Sequence, residues 1–272
     1  MFIRVHLRLV VIKVSNMKIA TWNVNSLNIR MPQLAPWVAE AQPDVLCLQE
    51  TKCVDENFPV DGLKELGYEA EFIGQKSYNG VAILSKFPIT DVQKNFLDDD
   101  DESPKRMISA TVNGVKIVNT YIPNGTDLWT DKFTFKLDWL MRLRRYFDDL
   151  CDSSKDVLLC GDFNVAMEDT DVWSVPRWTG KLHFSMPERA AMYNVKQWGF
   201  TDLFRHLNGN VQEFSWWDYR AGAWQNNHGL RIDHIWTSPS LTAKAKSCVI
   251  DKTPRFLEKP SDHAPVVAEF SM

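Results

Sequence analysis

Short apolar runs bounded by turn-forming residues recur along the chain: Lys18 to Trp22, Asp44 to Gln49, Gly80 to Ser85, Ile108 to Val112, Val115 to Ile122, Val157 to Cys160, Ile232 to Trp236 and Pro265 to Phe270. Runs this short, closed at their ends by turn residues, predict buried strands. Apolar spacing of three and four predicts helices around Met31 to Ala41, across Lys132 to Leu150 and around Pro187 to Trp198, where Pro187 suits a first helical turn. The Asn113-Gly114 pair between two strand-like runs signals a tight hairpin, so part of the sheet is antiparallel. Strands outnumber helices. The mixture predicts a four-layered α/β sandwich, two mixed β-sheets packed face to face with helices outside, rather than a doubly wound parallel sheet.

No solenoid-length repeat, low-complexity tract or Gly/Ser-rich linker divides the chain, so 17–272 is expected to be one domain. Residues 1–16 are basic and apolar, but Arg8 and Lys13 interrupt the apolar run and no small-residue cleavage site follows; they are expected to be a flexible extension rather than a signal peptide. With 272 residues, 44% of them hydrophobic and 24% charged, the chain can bury a large core yet is too polar to live in lipid. No apolar stretch approaches the roughly 18 residues of a membrane span.

Five cysteines form an odd set without a C-x-x-C pair, which predicts reduced core thiols, no structural zinc site and a cytoplasmic location. A net charge of −4 argues against a protein that coats nucleic acid nonspecifically. It leaves room for a carboxylate-rich metal site beside a local basic face, for which Lys132, Lys136, Arg142, Arg144 and Arg145 are candidates; a solvated helix face explains them equally well. The acidic run Asp98 to Glu102 reads as a solvated loop.

The informative polar residues stand at strand ends, where the core fixes a side chain's position while leaving it at a rim. Asn23 and Asn25 follow the first strand, and Glu50 follows the second. Leu159-Cys160-Gly161-Asp162-Phe163-Asn164 ends an apolar strand with an acid and an amide two residues apart. An extended backbone there would put both on one face; an Asx-turn is the alternative. Asp233 is embedded in an apolar strand and needs a partner if ionised. Asp262 and His263 are adjacent, so on an extended chain they cannot point the same way, though a turn beginning at Ser261 would change that. An imidazole at His263 could donate to a phosphoryl oxygen, or be structural.

Together and in this order, these segments resemble the exonuclease III family within the endonuclease/exonuclease/phosphatase superfamily, and specifically its bacterial branch. The resemblance runs from about Lys18 to Phe270 through NVNSL, LQETK, GVAILSK, NTYIPNG, GDFN, FSWWDYR, GLRIDHI and SDHAP. It implies an Mg²⁺-dependent DNA phosphodiesterase, with Mn²⁺ able to substitute. Its substrate would be double-stranded DNA with 3′ ends or abasic sites, acted on by a monomer that works away from membranes.

By the same resemblance Glu50 is the principal metal carboxylate, with Asn23 and Asp262 beside the metal. Asp162 activates water or handles the leaving oxygen, Asn164 orients the phosphate, His263 contacts it, Asp233 orients His263 and Tyr121 supports the phosphate. Trp216 resembles an aromatic that packs against the sugar, and Trp217 a core residue; Arg106 and Lys136 resemble phosphate contacts. Two departures stand out. Asn124 occupies a turn where the bacterial branch often has Gln, and His183 stands where many abasic endonucleases of the family carry a small residue. A bulky His183 would crowd an abasic pocket and favour 3′-end processing, or it points elsewhere. Rival functions are a phosphodiesterase of lipid or sugar phosphates and a DNA-binding module without catalysis; the tryptophan-rich FSWWDYR stretch speaks against the first, and the full set of catalytic positions against the second.

Overall fold

What covers the unbroken apolar runs explains them: the strands that carry them are buried on both faces. A computed structural model describes residues 16–272. Its strands are β1 (Asn16–Asn23), β2 (Val45–Gln49), β3 (Glu69–Ile73), β4 (Val81–Ser85), β5 (Ile89–Lys94), β6 (Met107–Val112), β7 (Val115–Tyr121), β8 (Val157–Asp162), β9 (Thr201–Asp202), β10 (Asp233–Thr237), β11 (Ala245–Ile250) and β12 (Val266–Ser271). The helices are α1 (Leu27–Ala41), α2 (Val60–Glu65), α3 (Asp131–Leu150), α4 (Val175–Trp178), α5 (Met186–Lys196), α6 (Leu203–Asn208) and α7 (Pro239–Thr242). One six-stranded sheet runs β11-β12-β1-β2-β4-β3 and the other β5-β6-β7-β8-β10-β9. Both are mixed: β1 with β2 and β7 with β8 are parallel, the other pairs antiparallel.

Alternation along each central strand sorts its residues into two cores. Ile19, Cys47 and Ile83 from the first sheet meet Ile117, Cys160 and Ile235 from the second in the middle of the sandwich. Their neighbours Ala20, Leu46 and Leu48 face Leu34, Trp37 and Val38 of α1, and Val118 and Leu159 face Trp139, Leu143 and Phe147 of α3 and Met192 of α5. Four layers result, as the sequence predicts. Each fully buried Leu- or Phe-sized side chain contributes about 1.5–3 kcal/mol, so the layers form a rigid frame for groups at the strand ends.

The Asn113-Gly114 hairpin joins β6 to β7, both turn residues having positive φ (48° and 80°). Met186 starts α5 one residue before Pro187, which sits in the first turn. Helix α1 starts at Leu27, earlier than its apolar spacing suggests, and runs on through Pro32 and Pro36. Of the expected extension 1–16, residues 1–15 lie outside the described residues, while Asn16 opens β1 and pairs with Ser271. No helix among the described residues is long and apolar enough to cross a membrane. All five cysteines are free, four of them buried.

Three of the five basic residues on α3 are engaged within the protein, while Lys132 and Arg145 are exposed. Arg142 is gripped by Asp98 and Asp99 at 2.5 and 2.6 Å and stacks over Phe96, and Arg144 is paired with Asp148 and the carbonyl of Asn194. The acidic loop is thereby corrected too: its first two carboxylates anchor the loop to α3. Lys136 is wholly buried against Glu188, 2.6 Å away, and so cannot be the surface phosphate contact expected of it.

Candidate active site

Strand register assembles the first three groups. Tyr121 of β7, Asp162 of β8 and Asp233 of β10 are register partners, forming one row across the second sheet. Gly161 allows β7 and β8 to come this close, because a Cβ there would lie 1.9 Å from the Thr120 carbonyl oxygen. After Asp162 the chain turns. The backbone N–H of Asn164 donates to Asp162 Oδ1 at 2.9 Å and Asn164 has φ 52°, so the extended alternative gives way to an Asx-turn. The turn nevertheless returns the amide to the acid: Asn164 Nδ2 lies 3.3 Å from Asp162 Oδ2.

The first sheet supplies the other half. The segment after β1 is stapled to the segment after β2, Val24 N–H to the Gln49 carbonyl and Ser26 N–H to the Glu50 carbonyl, at 3.1 and 2.7 Å. Glu50 is held at φ 51° and Asn25 at φ 45°, a left-handed conformation that is costly outside glycine and concentrates at functional positions. Asn23 Nδ2 donates to Glu50 Oε1 at 2.8 Å and to Asp162 Oδ2 at 2.9 Å, joining the two sheets at the site. Its amide oxygen accepts from the Asn25 N–H. Asn23 therefore bridges the two carboxylates.

The last loop closes the cluster. His263 N–H donates to Ser261 Oγ, and Ser261 Oγ–H donates to the Asn23 carbonyl at 2.7 Å, the turn at Ser261 that the sequence left open. His263 then points to Asp233, Nδ1 to Oδ2 2.9 Å, with Nε2 3.8 Å from Asp162 Oδ2. Asp262 points the other way, its oxygens accepting from Asn25 Nδ2 and Trp216 Nε1, both at 2.9 Å. It is not in the group of Glu50, Asp162 and His263, whose ligand atoms lie within 4.8 Å of one another. The expectation of Asp262 beside the metal is thus corrected: it positions Asn25 and the half-buried Trp216.

Electrostatics follow from crowding carboxylates in a buried place. Burial lifts the Asp162 carboxyl to about 7, assisted by Asp233 and Glu50 and opposed by His263. Burial would depress His263, but the Asp233 and Asp162 carboxylates outweigh it and raise the imidazole to about 10. The Tyr121 hydroxyl is pushed up by burial and by Glu50 and Asp162. Arg106 lies over the Tyr121 ring at 4.6 Å, its guanidinium also bonded to the Tyr121 carbonyl. Carboxylate oxygens dominate the acceptors here, and His263, protonated, is a donor rather than a ligand. This set suits a hard divalent cation, with Glu50 as the carboxylate that would hold it and Asp162 beside it.

At the rim, Asn124 Nδ2 donates to Asn164 Oδ1 at 3.1 Å, and His183 Nδ1 bonds the Asn164 carbonyl at 2.8 Å. The His183 ring lies between Trp178 and Trp216, its centroid 6.4 and 6.1 Å from theirs. Trp217 is core, with no exposed surface. Sequence reasoning passed over Lys52, whose ammonium lies 2.8 Å from Glu50 Oε2, and Ser215, whose hydroxyl oxygen accepts from the Ile232 and Asp233 N–H groups. Both lie within the family-like segments, Lys52 in LQETK and Ser215 in FSWWDYR, but neither type of residue marks its role, which for Ser215 is to a distant backbone.

The model of the Endonuclease/Exonuclease/phosphatase family matches residues 20–263. The chain is similar to the exodeoxyribonuclease III of Haemophilus influenzae, 37% identical over 266 residues that span 93% of this chain and 100% of that protein. Among solved structures it resembles the 3′ phosphatase NExo from Neisseria bound to product DNA hairpin, with TM-score 0.90 and 41% identity over 94% of this chain and 100% of that one. An AP endonuclease from Archaeoglobus fulgidus is similar at TM-score 0.90 and 38% identity, over 94% and 100% of the two chains.

Proposed function

Because the chain belongs to the endonuclease/exonuclease/phosphatase family, we propose that the group formed by Glu50, Asp162 and His263 hydrolyses phosphate esters at the 3′ ends and abasic sites of duplex DNA. The protein is a hydrolytic nuclease of DNA repair, of the exodeoxyribonuclease and abasic-endonuclease kind. The observation that carries the residue assignment is the convergence of groups from both sheets and the last loop within 4.8 Å.

In this reading Asp162, whose carboxyl burial raises in the metal-free protein, is the base that takes a proton from the attacking water. The water oxygen bonds to phosphorus, the bond from phosphorus to the 3′ oxygen breaks, and that oxygen takes a proton from solvent to leave as a hydroxyl, while Asp162 releases its proton to solvent. His263, protonated and fixed by Asp233, donates to a phosphoryl oxygen as negative charge builds. Asn164 orients the phosphate, and Tyr121 with Arg106 supports it from the neighbouring strand. A bound Mg²⁺ or Mn²⁺ would supply Lewis-acid stabilisation of that charge. Trp216, held by Asp262, presents its indole to the sugar, with Asn124 and His183 along the rim.

His183 inclines the balance towards 3′ ends. Its buried imidazole fills space beside Trp216 that a smaller residue would leave open to a base-free sugar. The site is complete within one chain, which supports a monomer, and free thiols suit a reducing cytoplasm. A lipid or sugar phosphate substrate is disfavoured by the DNA activities that the relatives' names carry, and a non-catalytic module by the presence of every catalytic group.

The test is a panel of end-labelled duplexes carrying a 3′-phosphate, a recessed 3′ end or a central abasic analogue. Magnesium-dependent processing of the 3′ substrates is expected, and Asp162→Asn should lose it while still binding DNA. Activity of that variant within a few-fold of the wild type removes Asp162 from the mechanism.

A further inference from the structure

Lys136 has no exposed surface, and its ammonium has partners for all three of its protons. It lies 2.8 Å from the Asn164 carbonyl, 3.3 Å from the Asn124 carbonyl and 2.6 Å from Glu188 Oε2. The other Glu188 oxygen accepts from the N–H and hydroxyl of Ser185 at 2.9 and 2.8 Å, the capping box that opens α5. Two of the three protons therefore go to the main chain of the two turns that carry the site's amides, Asn124 after β7 and Asn164 after β8.

Stability gives little reason to keep such a group. A buried ion pair is commonly matched or bettered by apolar side chains of similar volume, because both charges lose their water. The carbonyls are another matter. Asn164 is in the left-handed region, at φ 52°, and its turn is fixed from two sides: Asp162 Oδ1 takes its N–H, and Lys136 holds its carbonyl. The same carbonyl accepts from His183 Nδ1, and the Asn164 side chain is tied to Asn124. An apolar residue at Lys136 would leave the Asn164 turn without its charged donor and remove the link between the two main-chain carbonyls, leaving only the side-chain bonds of Asn164 to Asn124 and to the Ile122 carbonyl.

We infer that Lys136 is a positioning residue: its buried ammonium, bonded to the carbonyls of Asn124 and Asn164, fixes the amide of Asn164 against Asp162 for phosphate transfer. This rests on the assignment of Asn164 to the phosphate. Glu188 supplies the counter-charge and the tie to α5, and touches neither turn.

The experiment compares K136M/E188M, E188Q and N164A with the wild type, using kcat, KM and its salt dependence on a 3′-phosphate duplex together with thermal unfolding. The uncharged pair K136M/E188M should fold and keep KM within about three-fold, while kcat falls between about ten- and a hundred-fold from misplaced geometry. Wild-type kcat in that folded double variant overturns the inference. So does a raised KM with weaker salt dependence at unchanged kcat, which would mark a phosphate contact. E188Q, which keeps both carbonyl bonds, should retain kcat within about three-fold even if less stable; a ten-fold loss overturns the inference, and this arm stands should the double variant not fold. N164A separates the two levels: if it is fully active, the reading of the site fails; if it is inactive while K136M/E188M works normally, only the role of Lys136 fails.

Discussion

Asp162 and Asp233 face each other as register partners on β8 and β10, and His263 spans them, 2.9 Å from Asp233 through Nδ1 and 3.8 Å from Asp162 through Nε2. Two buried carboxylates side by side repel, and a protonated imidazole between them relieves it. The Asp233 oxygen that does not reach His263 has no hydrogen-bond partner, so the contact with His263 is what holds this carboxylate in place.

Asp233→Asn should therefore lower kcat by about a hundred-fold or more with little change in DNA binding, because a neutral amide lacks the charge that stabilises the imidazolium. In metal-free protein, the His263 proton should be lost near pH 10 in the wild type and at lower pH in the variant. The sign follows from a raised folded pKa: the stabilisation is complete below the unfolded value of about 6.5 and vanishes as pH rises through 10. Imidazole NMR titration reads this directly, and identical curves for the two proteins would exclude the coupling.

Asn23 offers a test of metal holding that leaves both carboxylates in place. Its amide bridges Glu50 and Asp162, and loss of such a supporting contact typically weakens metal binding about ten- to a hundred-fold. EDTA should silence the enzyme, Mg²⁺ or Mn²⁺ should restore it, and Asn23→Ala should need correspondingly more metal for half-maximal activity. An unchanged metal requirement would show that the bridge does not support the cation.

His183→Gly should increase incision at a central abasic analogue while leaving 3′-phosphate removal within a few-fold. The imidazole fills space between Trp178 and Trp216, and its Nδ1 engages the Asn164 carbonyl. Equal abasic cutting by both proteins would mean that the ring does not crowd the pocket.

The strands that the apolar pattern revealed are interior ones. The four it missed, β3, β5, β9 and β11, are the sheet edges. An edge strand such as Ile89–Lys94 or Ala245–Ile250 carries polar and charged residues on its open side and leaves no continuous apolar run. The site was legible for a related reason: Glu50, Asp162 and Asp233 are acids at or in apolar strands, where a charge without a purpose is costly. Lys136 misled because a lysine in an amphipathic helix ordinarily faces water, and only the position of Glu188, 52 residues away, reverses that. Asp262 misled because neighbouring residues in a turn diverge, so sharing a motif with His263 did not mean sharing its site.

Arg231, two residues before Asp233, is buried between Asp171 and Asp202, with hydrogen bonds of 2.7 Å from Nε to the first and 2.7 Å from Nη2 to the second. Burial alone would raise both carboxyls, yet Arg231 holds each below the usual carboxylate range, Asp202 strongly so. Depressed folded values mean stabilisation that is fully present above the unfolded value of about 3.9 and lost as pH falls through the folded ones. The contribution of this triad should thus be complete down to about pH 4 and be lost below it. Arg231→Met leaves Asp171 with Arg205 as its remaining cation and Asp202 with none bonded to its side chain, and should cost about 3–5 kcal/mol at pH 7. Without the guanidinium, burial would raise the Asp202 carboxyl, so acid would neutralise it and the deficit should shrink between pH 7 and pH 4. Urea unfolding at pH 7, 5.5 and 4 measures it: a deficit that stays constant would mean that Arg231 stabilises the protein through its packing against Phe204, 5.2 Å from the ring centre, and not through its charge.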